Sequence, residues 1–336
     1  MQRIRIGVIG LRFGRQLVRT LANMENAELV AIADRSAELP GGLEGYAEHY
    51  GAKAYRSGED LIEREELDAV CIATAPGARE GLVSAAARKG LPMFVEKPWA
   101  PDLETAHRLA AICRDHDAKV MVAFSFRFHP AITKLRTLMD GELGEGWLLN
   151  GEYIFNLNPP AGGWLWNPQS GNGIFNENSG HLFDAVCYLL GKPVSLTAEA
   201  INPLSTPSEH AAAVTVRFAG GAVAALTLGG VGTNAHRDFP RIDVITANGQ
   251  ARLGGREHMW ERLTWATRAD EAVHSIVQSP EALGNTRYTH AFNHFLDCVA
   301  QGTQPSVGIE DGITAVALAM AVHESARTGE KVGIGD

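Results

Sequence analysis

Over the first third of the chain, short apolar runs alternate with longer stretches of helical spacing. Arg3 to Ile9 sets Ile4, Ile6 and Val8 in alternation ahead of Gly10, and Arg15 to Met24 then carries a helix period. Ala27 to Ala33 reads as a second strand. Asp68 to Ala73, Leu91 to Val95 and Lys119 to Ala123 read as three more, separated by helical patterns over Ala78 to Lys89 and Asp102 to Asp115. Strands apolar on both faces belong to parallel sheets covered by helices. The pattern therefore predicts an α/β domain with a doubly wound parallel sheet, the Rossmann arrangement, over residues 1–124.

From Trp147 onward the period drops to two. Trp147 to Phe155, Val194 to Ala200, Ala212 to Phe218, Ala222 to Leu228, Arg241 to Ala247 and Arg262 to Thr267 all alternate, and Gly220-Gly221 and Asn248-Gly249 supply hairpin turns. This predicts a second α/β domain over residues 125–336, built on a large, mostly antiparallel open sheet. The helix from Glu177 to Leu190 covers one face, and helices over Tyr288 to Gln301 and Ile309 to Thr328 close the chain. A broad sheet left bare on its other face invites aggregation. A homodimer or homotetramer formed through that face is the expected remedy.

At 336 residues the chain is long enough for two domains with real cores. A net charge of −9 argues against nucleic acid or an anionic membrane as its main partner, which leaves a small molecule. Cys71, Cys113, Cys187 and Cys298 are too few and too scattered for a disulfide framework, and read as reduced core thiols. With no apolar signal segment and no apolar run of about 18 residues, the sequence reads as cytoplasmic.

Candidate chemistry lies at the ends of the first-half strands, where open α/β sheets bind their ligands. The turn Gly10-Leu11-Arg12-Phe13-Gly14 between strand and helix is a dinucleotide-binding element, with Arg12 where the common pattern has its second glycine. Arg12 either displaces the pyrophosphate slightly or pairs with it through its guanidinium. Asp34, twenty residues past Gly14, stands at the spacing of an acid that meets the adenosine ribose. Such an acid repels a 2′-phosphate and favours NAD; Arg35 beside it leaves NADP open. Thr74-Ala75-Pro76 and Glu96-Lys97-Pro98 end the next strands and line the same edge, and the proline biases Lys97 toward extended backbone. Glu96 either anchors Lys97 or pairs structurally at the strand end.

A second group lies in Gly171 to Asp184, where Glu177, His181 and Asp184 are spaced four and three apart and would share a helix face. Trp164 and Trp166 offer aromatic faces for stacking on a sugar ring, with core packing as the alternative. Arg127 either contacts substrate or braces the interdomain hinge, with the substrate role preferred. His290, His294 and Asp297 share a helix face but lack the zincin glutamate, so they read as polar residues of a domain interface and no metal is expected.

The strand and turn of Gly7 to Gly14, Glu96-Lys97-Pro98, the Gly173 to Asp184 segment and the ending from Glu310-Asp311-Gly312 through Glu324-Ser325-Ala326 together resemble the glucose–fructose oxidoreductase and inositol dehydrogenase (Gfo/Idh/MocA) family over nearly the whole chain. The resemblance implies NAD- or NADP-dependent oxidation or reduction of sugars and polyols by a dimer or tetramer. It makes Lys97 the lysine near the nicotinamide and His181 the catalytic histidine. Glu177 stands where many members have aspartate, and Ser179 where glycine is common. Oxidising a secondary alcohol requires a base at the hydroxyl as hydride leaves the carbon. Histidine, with an intrinsic pKa of about 6.5, suits that task. Glu177 or Asp184 would hold its other nitrogen, Lys97 would donate to the substrate oxygen or act as the base itself, and Asn178 would add a substrate contact. Two other functions fit the same residues: a dinucleotide-binding sensor without turnover, and NAD-assisted glycoside cleavage.

Overall fold

The computed structural model describes residues 3–35, 38–236, 238–256, 260–279 and 286–335. The chain forms two compact units, Met1–Ala123 with Tyr288–Ile313, and Phe124–Arg287 with Thr314–Asp336.

In the first unit β1 (Ile4–Ile9), α1 (Leu11–Ala22), β2 (Ala27–Ala33), α2 (Gly42–His49), β3 (Lys53–Tyr55), α3 (Gly58–Arg64), β4 (Ala69–Ile72), α4 (Glu80–Arg88), β5 (Met93–Val95), α5 (Leu103–Asp115) and β6 (Val120–Val122) follow in turn. The six strands pair in parallel in the order β3-β2-β1-β4-β5-β6. The order reverses between β1 and β4, which is where such sheets open a crevice for a ligand. Ile6, Val8, Val70, Ile72, Phe94 and Val95 are wholly buried, as two covered faces require. Sequence patterning does not reveal α2, β3 or α3, because they are short and several glycines interrupt their apolar period. Helix α1 also starts four residues earlier than its apolar period suggests, directly after Gly10.

The expected division at 124/125 needs correction at its far end. Helix α8 (Thr286–Gln301) lays Phe292 and Phe295 on Phe94 of β5, with ring centroids 4.5 and 5.6 Å apart, so Tyr288–Ile313 groups with the parallel sheet. Periodicity shows that a helix has an apolar face; it does not say which sheet that face covers.

The second unit holds α6 (Pro130–Asp140), β7 (Gly146–Ile154), α7 (Gly180–Leu190), β8 (Pro193–Ile201), β9 (Ala211–Phe218), β10 (Val223–Gly229), β11 (Arg241–Thr246), β12 (Gly249–Gly254), β13 (Arg262–Thr267), β14 (His274–Val277), most of α9 (Ile309–Thr328) and β15 (Val332–Gly333). Nine strands form one sheet in the order β14-β13-β12-β11-β7-β10-β9-β8-β15, antiparallel throughout except for β10 against β7. Inward residues such as Leu149, Leu196, Val214, Leu226 and Val244 pack with Leu135 of α6, Leu182 and Val186 of α7, and Leu318 and Val322 of α9. Between them the strands turn Asn150, Thr197, Glu199, Thr215, Ala225 and Thr227 outward, and all six are exposed. Patterning does not show β14 because it is exposed along its whole length and has no buried face to betray it.

Candidate active site

At the carboxyl edge of the parallel sheet, Gly10 adopts φ 89°, and a Cβ there would lie 2.8 Å from the Ala73 carbonyl and the Thr74 nitrogen. Only glycine suits this position. Helix α1 begins at once, and Gly10 has no side chain with which to cap it. One amide, that of Leu11, donates to Asp34 Oδ2 at 2.6 Å. Gly14 faces back to the sheet, where a Cβ would come within 3.3 Å of Ala73 and 3.5 Å of Val8. Arg12 and Phe13 project from the first turn, both exposed, and the Phe13 ring lies 6.0 Å from that of Tyr288. Arg35 is exposed beside Asp34, and Pro76 is buried in the turn after Thr74. The Thr74 hydroxyl is buried with no hydrogen-bond partner among the described residues. A glycine cradle, a helix N-terminus directly after it, a carboxylate closing β2 and a waiting hydroxyl fit a dinucleotide. Its pyrophosphate would meet the α1 amides and Arg12, its ribose Asp34.

From Met93 to Pro101 every residue is buried except Lys97, which is half-exposed. The Lys97–Pro98 peptide is cis. Glu96 is 3% exposed, and its carboxylate, after burial itself, helps push the Cys71 thiol pKa up. Trp99, fully buried, donates from its indole to the Ala106 carbonyl at 3.1 Å.

The second group is built on a widened turn. Phe175–Ser179 is a π-helix that runs into α7, so Glu177 and His181 do not have the regular helical spacing assumed from sequence. Such bulges recur at functional sites. His181 is 6% exposed, with its ring stacked on Phe126 at 4.6 Å and 20° and Phe124 edge-on at 6.3 Å. Glu177 and Asn178 are half-exposed, and Asn178 Oδ1 is buried with no hydrogen-bond partner among the described residues.

Two sequence expectations change here. The side chain of Asp184, expected to hold the second His181 nitrogen, is fully buried and both its oxygens accept from Arg127, at 2.6 to 3.0 Å. Arg127 also lies 5.3 Å over the Tyr188 ring, and so braces α7. A guanidinium and a carboxylate within reach in a buried setting bind each other before they bind a ligand. Trp166 is 6% exposed, donates to the Pro159 carbonyl at 3.2 Å and meets His210 edge-on, so it packs the loop core, whereas Trp164 is 40% exposed. Sequence reading missed Phe126, which lies among look-alike aromatics. It also missed Arg79, whose neighbours Gly77, Ala78 and Glu80 are all exposed and give no sign of its burial.

A parallel sheet in this order, with a glycine turn at its switch point and a lysine at the same edge, defines a dinucleotide-binding oxidoreductase. The chain belongs to the Gfo/Idh/MocA family: the oxidoreductase model with NAD-binding Rossmann fold matches residues 4–124, and the family's C-terminal domain model matches residues 132–252. It is an NAD(P)-dependent dehydrogenase or reductase. Inositol 2-dehydrogenase of Rhizobium meliloti is 28% identical, covering 98% of this chain and 99% of that protein. D-apiose dehydrogenase of Paraburkholderia graminis is 25% identical, covering 95% and 86%. A levoglucosan dehydrogenase solved with NADH and L-sorbose has a TM-score of 0.86 at 20% identity, covering 100% of both chains, a likeness of fold. Among the described residues no helix is long and apolar enough to cross a membrane.

Proposed function

We propose that this oxidoreductase acts on a secondary alcohol, or the corresponding ketone, of a sugar, inositol or related polyol, with NAD as its preferred cofactor. The observation that carries the reading is Lys97, the one half-exposed residue of a buried strand end, at the same sheet edge as the Gly10 cradle. The substrate class is supported by the dehydrogenases of inositol and apiose to which the chain is similar along almost all its length.

Gly10, Arg12, Phe13, Gly14, Asp34, Arg35, Thr74 and Pro76 would hold the dinucleotide, with Glu96 supporting the strand end from behind. When bound, the nicotinamide accepts hydride from the alcohol carbon or returns it to the ketone. The chain's own part is proton handling. Lys97 donates a hydrogen bond to the reacting oxygen, and His181 takes its proton in oxidation and returns it in reduction. Stacking on Phe126 fixes the imidazole plane, and Glu177, one π-turn earlier, supports the imidazolium. Asn178 and Trp164 contribute polar and aromatic contacts to substrate; Arg127 and Asp184 act behind them as a brace.

The protein further reads as a cytoplasmic homo-oligomer. Reduced cysteines, three of four buried, support the compartment. The exposed nine-stranded face, with Leu148 and Ile245 exposed along it, supports self-association. The test is purified protein with NAD or NADP against inositols, aldoses and anhydrosugars, followed by nicotinamide absorbance. Reduction of NAD by at least one of them is expected, and silence across the panel overturns the reading. Lys97→Ala should cut turnover about 10²-fold or more while dinucleotide binding persists; unaltered turnover removes Lys97 from the chemistry.

A further inference from the structure

Arg79 is 1% exposed, and its guanidinium ends among backbone carbonyls. Nε and Nη2 donate to the Thr74 oxygen at 3.2 and 2.7 Å, while Nη1 donates to the Pro98 oxygen and, at 3.5 Å, to that of Trp99. One planar fork thus joins the turn after β4 to the turn after β5. The first of these turns is the backbone against which Gly10 packs. The second carries Lys97, next in sequence to Pro98. Burying a guanidinium is costly, and carbonyl dipoles on both its arms are what make it tolerable. A smaller neutral residue would fill the space at less cost, so fold stability alone does not call for an arginine there.

We propose that Arg79 is a positioning residue: it locks the Lys97 turn to the cofactor-side Thr74 turn, so that the ammonium leaves the sheet in one fixed direction relative to the glycine cradle. The inference rests on the assignment of Lys97 to the reaction. It concerns the geometry of that lysine, which is measurable without substrate. Lysine at position 79 keeps the charge but offers a single point donor in place of the fork, so it reaches only one of the two turns. Glutamine keeps donors but is too short to span them.

Competitive acetylation with acetic anhydride, read by peptide mass spectrometry, measures the position directly. In Arg79→Lys and Arg79→Gln the labelling rate of Lys97 should change by about fivefold or more, as expected when a fixed turn opens locally, while the exposed Lys331 labels as before. With an active polyol, kcat should fall about tenfold or more with KM little changed, because small misplacements of a reacting group are costly. In a Lys97→Ala background the Arg79 substitution should add nothing further. Unchanged Lys97 labelling in both variants overturns the proposal, as does an Arg79 effect that persists in full without Lys97. An Arg79→Lys chain that no longer folds assigns the guanidinium to the fold alone, and also overturns it. If instead Lys97→Ala itself keeps full turnover, the assignment of Lys97 fails while the labelling result for Arg79 stands.

Discussion

Gly10 and the Arg127–Asp184 pair show two ways in which one side chain decides local structure. Gly10 is held at positive φ with backbone 2.8 Å from the missing Cβ, so Gly10→Ala must strain the turn and push β1 away from β4. A loss of about 1–3 kcal/mol in denaturant unfolding is expected, together with weaker NAD binding by titration; wild-type values in both would mean that the turn has slack. Arg127 and Asp184 are 11% and 0% exposed at the side chain, so removing one strands the other. Arg127→Leu should destabilise by about 3–5 kcal/mol, and replacing both with leucine should recover much of that. A double variant as unstable as the sum of the singles would show that the two act independently.

Among elements, α8 carries the clearest pH dependence. His294 Nε2 accepts from the Ser306 amide at 3.0 Å, and burial lowers the imidazole pKa from its ordinary value, with Asp297 opposing. The unfolded chain therefore takes up this proton before the folded one does. The contribution is complete above about pH 6.5 and declines as pH falls from there toward the lower folded value. His294→Gln, which still accepts from Ser306, should flatten that part of the melting-temperature profile, and identical profiles would clear His294. The elements most legible in the sequence were those with an unambiguous period and firm punctuation. β2 runs between the same residues in pattern and structure, and Gly220-Gly221 and Asn248-Gly249 do separate paired strands. What escaped depended on contacts remote in sequence, such as Phe292 on Phe94 and the closure of Arg127 on Asp184, or on the π-turn that widens the helix at Glu177. None of these leaves a mark on local spacing.

For the whole molecule, the exposed face of the nine-stranded sheet is the surface on which assembly is expected to depend. Ala225 and Thr227 of β10 lie at its middle, bordered by the Arg241–Glu152 and Arg252–Asp243 pairs at 2.5 Å. Ala225→Arg sets a bulky, desolvation-averse charge there without touching the core, and light scattering should record dissociation to a smaller species; an unchanged mass would move the assembly surface elsewhere. The bond from Leu11 to Asp34 bears on how such a chain changes over generations. The group proposed to tell one dinucleotide from the other also anchors the opening amide of α1, so on that reading selectivity and the soundness of the cradle are inherited together. Asparagine, uncharged yet still an acceptor for that amide, is the step by which a descendant would drift toward the phosphorylated form without first losing its footing.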